Sequence, residues 1–208
     1  MGWRNDRARR RIAPGKGQAR RRNAVSDRVY RARAWLADTS RQDRIAVQRE
    51  TNSIFLRAAV HRPDLPVNEN QESEPTKIAS AFPLAMDFLK RIEIATKCAP
   101  SRATIVRLKP RSQVGLHIDG GAYYLIRQRF HFVLHSPTGS VLRSGAEEAP
   151  MRTGELWWFD NRQHHSAFNE SEDRRIHYIF DLLPPAYASM AVNPLPPFVF
   201  QPAAAAPL

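Results

Sequence analysis

The alternation of apolar and polar positions changes rhythm near Pro100, and that change divides the chain. From Val25 to about Arg49, the residues Val29, Trp35, Leu36, Ile45 and Val47 form a broken apolar stripe amid Arg, Asp and Gln, which predicts helix. Residues 51–60, with Ile54, Phe55, Leu56 and Val60, suit a strand or a short helix. The polar stretch His61 to Lys77 holds Pro63, Pro66 and Pro75, so regular structure is expected to stop there. Ile78 to Thr96 then sets Phe82, Met86, Leu89 and Ile92 at helical spacing, predicting a helix packed on the body.

Beyond Pro100 the pattern shortens to alternating runs. Ala103 to Leu108, Val114 to Asp119, Gln128 to His135, Ser140 to Arg143, Glu155 to Asp160 and Arg174 to Leu182 all read as strands. The breaks fall at Pro110, Gly120-Gly121, Pro137-Thr138-Gly139 and Gly154, a spacing that predicts antiparallel β structure. Folding such a sheet on itself into a small barrel protects its edges. Past Asp181 the chain is rich in Pro and Ala, with Phe198 and Phe200 as candidates to dock back. The expected organisation is a basic tail over 1–24, a helical region over 25–99, a β core over 100–183 and a Pro/Ala-rich tail over 184–208.

Charge modifies this picture only at one end. Of the 32 Lys and Arg residues, 12 lie in residues 1–34 against two acids, so that segment carries +10 of the net +12. An Arg-dense stretch with little to bury is expected to be disordered. It suits contact with an anionic partner such as nucleic acid or the ribosome, organelle targeting or simple solvation. The single cysteine, Cys98, excludes an internal disulfide and a Cys-based zinc site, so a reducing, cytoplasmic setting is expected. No run approaches the ~20 apolar residues of a membrane span, and no secretory leader is expected.

Candidate chemistry starts at His117-Ile118-Asp119. On a strand, residues i and i+2 share a face, so His117 and Asp119 point the same way. His165, 48 residues after His117, supplies a third ligand from a neighbouring strand. Two histidines and one carboxylate on one face hold a non-haem Fe(II) while leaving positions open opposite. His165 is preferred to His164 because the two point to opposite faces of an extended segment, and only His165 has the spacing to Asn169 and Arg175. Arg175, ten residues on, offers the fixed bidentate cation that the far carboxylate of 2-oxoglutarate needs.

These residues carry a family resemblance. Leu108-Lys109-Pro110, Arg129-Phe130-His131, Gly154-Glu155-Leu156-Trp157-Trp158-Phe159-Asp160-Asn161, His165 with Asn169, and Arg175-Ile176-His177 occur in order over about Arg102 to Leu183. The stretch resembles the aspartyl/asparaginyl beta-hydroxylase family of Fe(II)/2-oxoglutarate dioxygenases. The resemblance implies a mainly β, double-stranded β-helix of the jelly-roll or cupin-like kind with N-terminal helices packed on it. It implies metal at His117 and His165, 2-oxoglutarate held by Arg175 with His131, and Arg129 on the substrate side or behind the ligands. Family precedent allows as substrate an Asp or Asn side chain in a protein, or a free amino acid such as proline. Animal members carry glycine where this chain has Asp119; bacterial members and the free-proline cis-hydroxylases carry the carboxylate. A hydroxyl residue that helps hold the cosubstrate in some members aligns with Val106, leaving Thr104, two residues away on the same face, as its replacement.

Two other readings belong to different classes. A cupin with another metal and no cosubstrate would suit His165 and Asn169, although Asp119 stands where the usual second histidine would be. A nucleic-acid or ribosome-associated binder would use the Arg-rich tail on an inactive barrel.

Overall fold

The computed structural model describes residues 32–197. The basic tail, Val29 and the docking residues Phe198 and Phe200 lie outside the described residues. Among the described residues ten strands form two antiparallel sheets: β1 (Thr51–Ala59), β2 (Ser73–Pro75), β3 (Ala99–Leu108), β4 (Ser112–His117), β5 (Gln128–His135), β6 (Ser140–Ser144), β7 (Glu147–Ala149), β8 (Leu156–Trp158), β9 (His165–Asn169) and β10 (Arg175–Leu183). One sheet runs β2-β1-β3-β10-β5-β8 and the other β4-β9-β6-β7. Counting from β3, successive strands give the orders first-eighth-third-sixth and second-seventh-fourth-fifth, which is a jelly roll wound as a double-stranded β-helix. β1 and β2 extend the larger sheet at one side, and Pro75, which cannot donate to a ladder, sits on the outermost strand.

Three apolar clusters hold this frame. The largest joins Trp35, Ile54, Leu56, Phe82, Ala85, Leu89, Ile105, Tyr178 and Phe180, all buried, between the larger sheet and the helix that covers it. A second, of Leu108, Val114, Val133, Leu142, Met151, Phe159 and Ala167, fills the space between the two sheets. A third seats Leu195 against Ala122, Ile126 and Leu183.

The helical region departs from its expected outline. In place of one helix before Arg49 the chain makes a 3-10 turn (Ala32–Leu36), helix α1 (Ser40–Arg44) and a second 3-10 turn (Ala46–Gln48). The Asp38 carboxylate accepts from the Ser40 N–H at 2.9 Å and breaks the run. The apolar stripe is accordingly split: Trp35 is fully buried, while Leu36 and Ile45 are 68% and 46% exposed. Residues 51–59 are strand rather than helix. The covering helix α2 (Pro83–Thr96) begins five residues later than its periodicity suggested. Proline at the first position needs no N–H partner, and the residue before it, Phe82, is kept out of helical geometry (φ −122°, ψ 53°). α2 ends at Lys97, whose left-handed backbone lets its N–H reach the Glu93 carbonyl at 2.8 Å. Phe88 on its inner face stacks on Phe132 of β5 at 4.6 Å. Cys98 is half-buried against the main core. No helix among the described residues is long and apolar enough to cross a membrane.

Candidate metal centre

Strands β4 and β9 pair with Ser112 opposite Asn169 and Val114 opposite Ala167; the register then shifts, so that His117 faces His165. That irregularity, a bulge of the kind that re-aims side chains beside functional sites, brings the two imidazoles to a centroid separation of 4.2 Å. β4 ends at His117, and Asp119 lies just beyond it. The alternation nevertheless persists: Leu116 and Ile118 are 64% and 50% exposed, while His117 and Asp119 turn inward. The Asp119 N–H donates to the Asn161 carbonyl at 2.9 Å, which ties this short extension to the turn before β9.

The donor atoms are prepared for a metal. His117 Nδ1 donates to the Gly115 carbonyl at 2.8 Å and His165 Nδ1 to the Gln163 carbonyl at 2.9 Å. A proton fixed on each Nδ1 leaves each Nε2 with a lone pair, the arrangement ligating histidines use. His165 Nε2 lies 3.9 Å from Asp119 Oδ2 and His117 Nε2 lies 4.0 Å from Asp119 Oδ1. Ligand atoms of all three residues fall within 4.8 Å of one another, a possible metal site. Burial pushes the His165 imidazole below its ordinary range, favouring the neutral form that binds metal. His164 is exposed and points away.

Asp119 is held on its far side. Its Oδ2 accepts from Arg129 NH1 at 2.6 Å and from Asn161 Nδ2 at 2.9 Å. Burial would raise this carboxyl, but Arg129, then His165, Asn161 and His117, hold it below the usual carboxylate range. Arg129 in turn forms a two-pronged pair with Asp181 (Nε to Oδ1 at 2.8 Å, NH2 to Oδ2 at 2.9 Å), and Tyr123 OH donates to Asp181 Oδ2 at 3.0 Å. Arg129 thus stands behind a candidate ligand, its charge matched by two carboxylates.

A second charged group shares the cavity. Arg175, at the start of β10, is buried, and its NH2 donates to His177 Nδ1 at 3.2 Å. Because a guanidinium only donates, His177 Nδ1 carries a lone pair, and the His177 proton sits on Nε2, which is buried without a partner among the described residues. His131 Nδ1 lies 3.2 Å from the same His177 Nδ1 and is therefore the donor in that pair. Burial and then Arg175 push both imidazoles well below their ordinary range, so both are neutral. Burial alone lowers Arg175 to about 10. Among the described residues no carboxylate comes within ion-pair distance of Arg175.

His117, Asp119, His165, Arg129, His131, His177 and Arg175 all line one cavity. Its free space is about 50 Å³, several times the ~10–15 Å³ that a water needs. Thr104 does not line it: β3 contributes Val106 and Leu108, and the hydroxyls come from Thr51 and Ser166. Arg127, two positions before Arg129, is buried elsewhere against Ser101 Oγ at 2.9 Å and the Gln71 carbonyl at 2.7 Å. Asn169 is a clasp rather than a ligand, its amide donating to the Lys109 and Asp173 carbonyls at 2.9 and 2.7 Å and so fixing the loop before Arg175. His135 pairs with Asp173 at 2.9 Å. Alternation and spacing along the chain do not single out Asn161 for Asp119, nor Asp181, Arg41, Gln48 and Thr51. Asp181 had a signal, a carboxylate inside an apolar strand on the face of Arg175; the N-terminal contributors had none.

Three solved structures illustrate the likeness of the barrel. A predicted oxalate decarboxylase from Thermotoga maritima is 17% identical, covering 45% of this chain and 73% of its own, with a TM-score of 0.33. A Cupin 2 conserved barrel domain protein from Salinispora arenicola is 15% identical over 45% of this chain and 71% of its own, with a TM-score of 0.33. The Cnp3 cupin domain of Schizosaccharomyces pombe is 9% identical over 44% and 67%, with a TM-score of 0.35. A likeness of this extent carries no functional weight, and the jelly roll is read from the two sheets themselves. No curated protein sequence matches the chain. The model of the aspartyl/asparaginyl beta-hydroxylase family matches residues 65–185, more than half of the chain and every strand from β2 to β10. The chain therefore belongs to the aspartyl/asparaginyl beta-hydroxylase family, and its chemistry is that of a hydroxylase.

Proposed function

We propose that the protein is an Fe(II)- and 2-oxoglutarate-dependent dioxygenase that hydroxylates an amino-acid side chain, either Asp or Asn in a peptide or a free amino acid such as proline. The observation that carries this reading is the joint presence, in one cavity, of a two-histidine, one-carboxylate donor set and a buried guanidinium with no acidic partner among the described residues. When bound, Fe(II) and 2-oxoglutarate would supply, with dioxygen, the oxidative decarboxylation that yields succinate and CO2 and places the second oxygen atom in a C–H bond.

The chain's own residues do the rest. His117 and His165 present Nε2 because their Nδ1 protons are committed to carbonyls. Asp119 stays ionised because Arg129 and Asn161 hold Oδ2, leaving Oδ1 for the metal. Arg175 anchors the far carboxylate of the cosubstrate by a bidentate, charge-assisted contact that a buried setting strengthens. His131, neutral and two positions from Arg129 on β5, stands beside that contact through His177. Phe159 packs edge-on to both His131 and His165 at 5.1 Å, walling the cavity with an apolar ring that limits water.

The test is aerobic incubation of the full chain with Fe(II), ascorbate, 2-oxoglutarate and panels of free amino acids and Asp- or Asn-containing peptides. Succinate release and a product heavier by one oxygen are expected with one panel. Absence of succinate from every panel, in protein shown to contain iron, overturns the proposal.

A further inference from the structure

Arg41 belongs to α1, outside the stretch matched by the family model, yet it lines the same cavity as His117, Asp119, His165 and Arg175. Its guanidinium is within electrostatic range of Asp119, Asp181 and Tyr124. Among the described residues, however, no carboxylate stands at ion-pair distance, and its one hydrogen bond is a long contact of 3.5 Å to Ser53 Oγ. A partly buried cation with so little to hold it is poised for a ligand. Burial and then the neighbouring Arg129 push Arg41 below its ordinary range, as expected where positive charge is in excess.

The segment carrying Arg41 is fixed to the barrel. Trp35 is fully buried, with the Arg107 guanidinium 4.6 Å from its ring centroid. Gln48 and Thr51 are also buried, joined by Thr51 Oγ1 to the Gln48 carbonyl at 2.7 Å, and both line the cavity. Arg41 is therefore presented by packed structure.

Charge matching narrows what it receives. Arg129 is offset by Asp181 as well as by its contact with Asp119, and Asp119 is a ligand. A divalent metal, Asp119, the two carboxylates of 2-oxoglutarate and Arg175 together balance. Arg41 is left with one positive charge facing the cavity, to be matched by one more anion. We propose that Arg41 binds a carboxylate of the substrate, so that the N-terminal segment sets substrate specificity. This rests on the 2-oxoglutarate reading for the assignment of Arg175. A carboxylate brings the single negative charge that Arg41 lacks, where phosphate or sulfate would bring nearer two, and its planar pair of oxygens fits the guanidinium fork. The source is the α-carboxylate of a free amino acid or the side chain of a peptidyl aspartate.

The test uses the full chain loaded with Zn(II) and 2-oxoglutarate, with ligand binding followed by saturation-transfer NMR. One arm compares the free L-amino acids with their α-amides; the other compares acetyl-aspartyl-amide with acetyl-asparaginyl-amide. At least one acid should bind tenfold or more tightly than its amide partner, and the arm in which this occurs names the source. Arg41→Gln should abolish the preference and Arg41→Lys should keep part of it, while 2-oxoglutarate affinity stays within threefold of the parent. The acid–amide comparison is repeated without 2-oxoglutarate, so that loss of cosubstrate binding in the parent counts against the dioxygenase reading alone. The assignment of Arg41 is overturned if no acid is preferred, if the preference survives Arg41→Gln, or if the variant loses affinity for 2-oxoglutarate instead.

Discussion

Arg129 NH1 meets Asp119 Oδ2 at 2.6 Å, and the same guanidinium grips Asp181 on its other side. This places a buried cation behind the one carboxylate of the donor set. A carboxylate among two histidines would otherwise swing or protonate on losing water; here it is oriented and kept ionised.

The outer hydrogen bonds should be measurable in metal affinity. Asn161→Ala removes the 2.9 Å donor to Asp119 Oδ2 but leaves Arg129 in place, so Fe(II) or Co(II) affinity is expected to fall roughly tenfold, at the low end of such changes. Arg129→Gln should cost more, because it also strands Asp181. Competition titration with a chromogenic chelator reads both, and equal affinities for parent and Asn161→Ala would mean that Asp119 is not a ligand.

Arg175 should matter to the cosubstrate and not to the metal. Replacing it by Gln removes a charge-assisted contact of about 2–3 kcal/mol, equivalent to roughly 30- to 150-fold in the dissociation constant of 2-oxoglutarate. Metal affinity should stay within a few-fold. Calorimetry with and without 2-oxoglutarate separates the two effects.

Burial of neutral His131 and His177 gives a stability that depends on pH. Both have folded values well below the ordinary 6.5. As pH falls below that unfolded value the unfolded chain takes up protons that the folded chain refuses, so stability is full above about 6.5 and declines on acidification. The slope contributed by each is at most about 1.4 kcal/mol per pH unit. In the metal-free chain, His177→Leu is expected to flatten the fall in denaturation midpoint between pH 6.5 and 5; an unchanged slope would mean that His177 is protonated when folded.

Trp35 anchors the segment that carries Arg41. Its truncation to Ala is expected to cost about 3–5 kcal/mol, the range for a large aromatic lost from a packed core. Urea denaturation of the two forms gives the number, and a change under 1 kcal/mol would show that the segment is only loosely attached.

The parts of this site that sequence made legible are those with local signals. His117 and Asp119 share a face by simple alternation, the same rule puts His165 and His164 on opposite faces, and Arg175 opens a largely apolar strand. An antiparallel barrel followed from short strands cut by Gly and Pro, and its jelly-roll winding from the family resemblance. What was not legible depends on contacts across long sequence separations. The bulge that sets His117 opposite His165 is marked in sequence only by Gly115, which by itself does not give the register. Arg41 looks like any charge in an Arg-rich stretch, and only the packing of Trp35 on the larger sheet brings it to the cavity. Thr104 has the right parity on β3 but does not reach the cavity, while Thr51, on a strand added outside the eight-stranded frame, does. Arg129 and Arg127 are equivalent by alternation, yet one meets Asp119 and the other Gln71.

The most direct measurement is an anaerobic titration of 2-oxoglutarate into the Fe(II)-loaded full chain, followed by visible absorption and then by succinate after admission of air. A metal-to-cosubstrate absorption band and succinate formation are expected in the parent, both lost in His117→Ala and both moved to roughly 30- to 150-fold higher 2-oxoglutarate in Arg175→Gln. Asp119→Ala is expected to weaken the band by lowering metal occupancy. A parent that retains iron but shows neither band nor succinate, or an Arg175→Gln variant that retains both unchanged, would contradict the proposed chemistry.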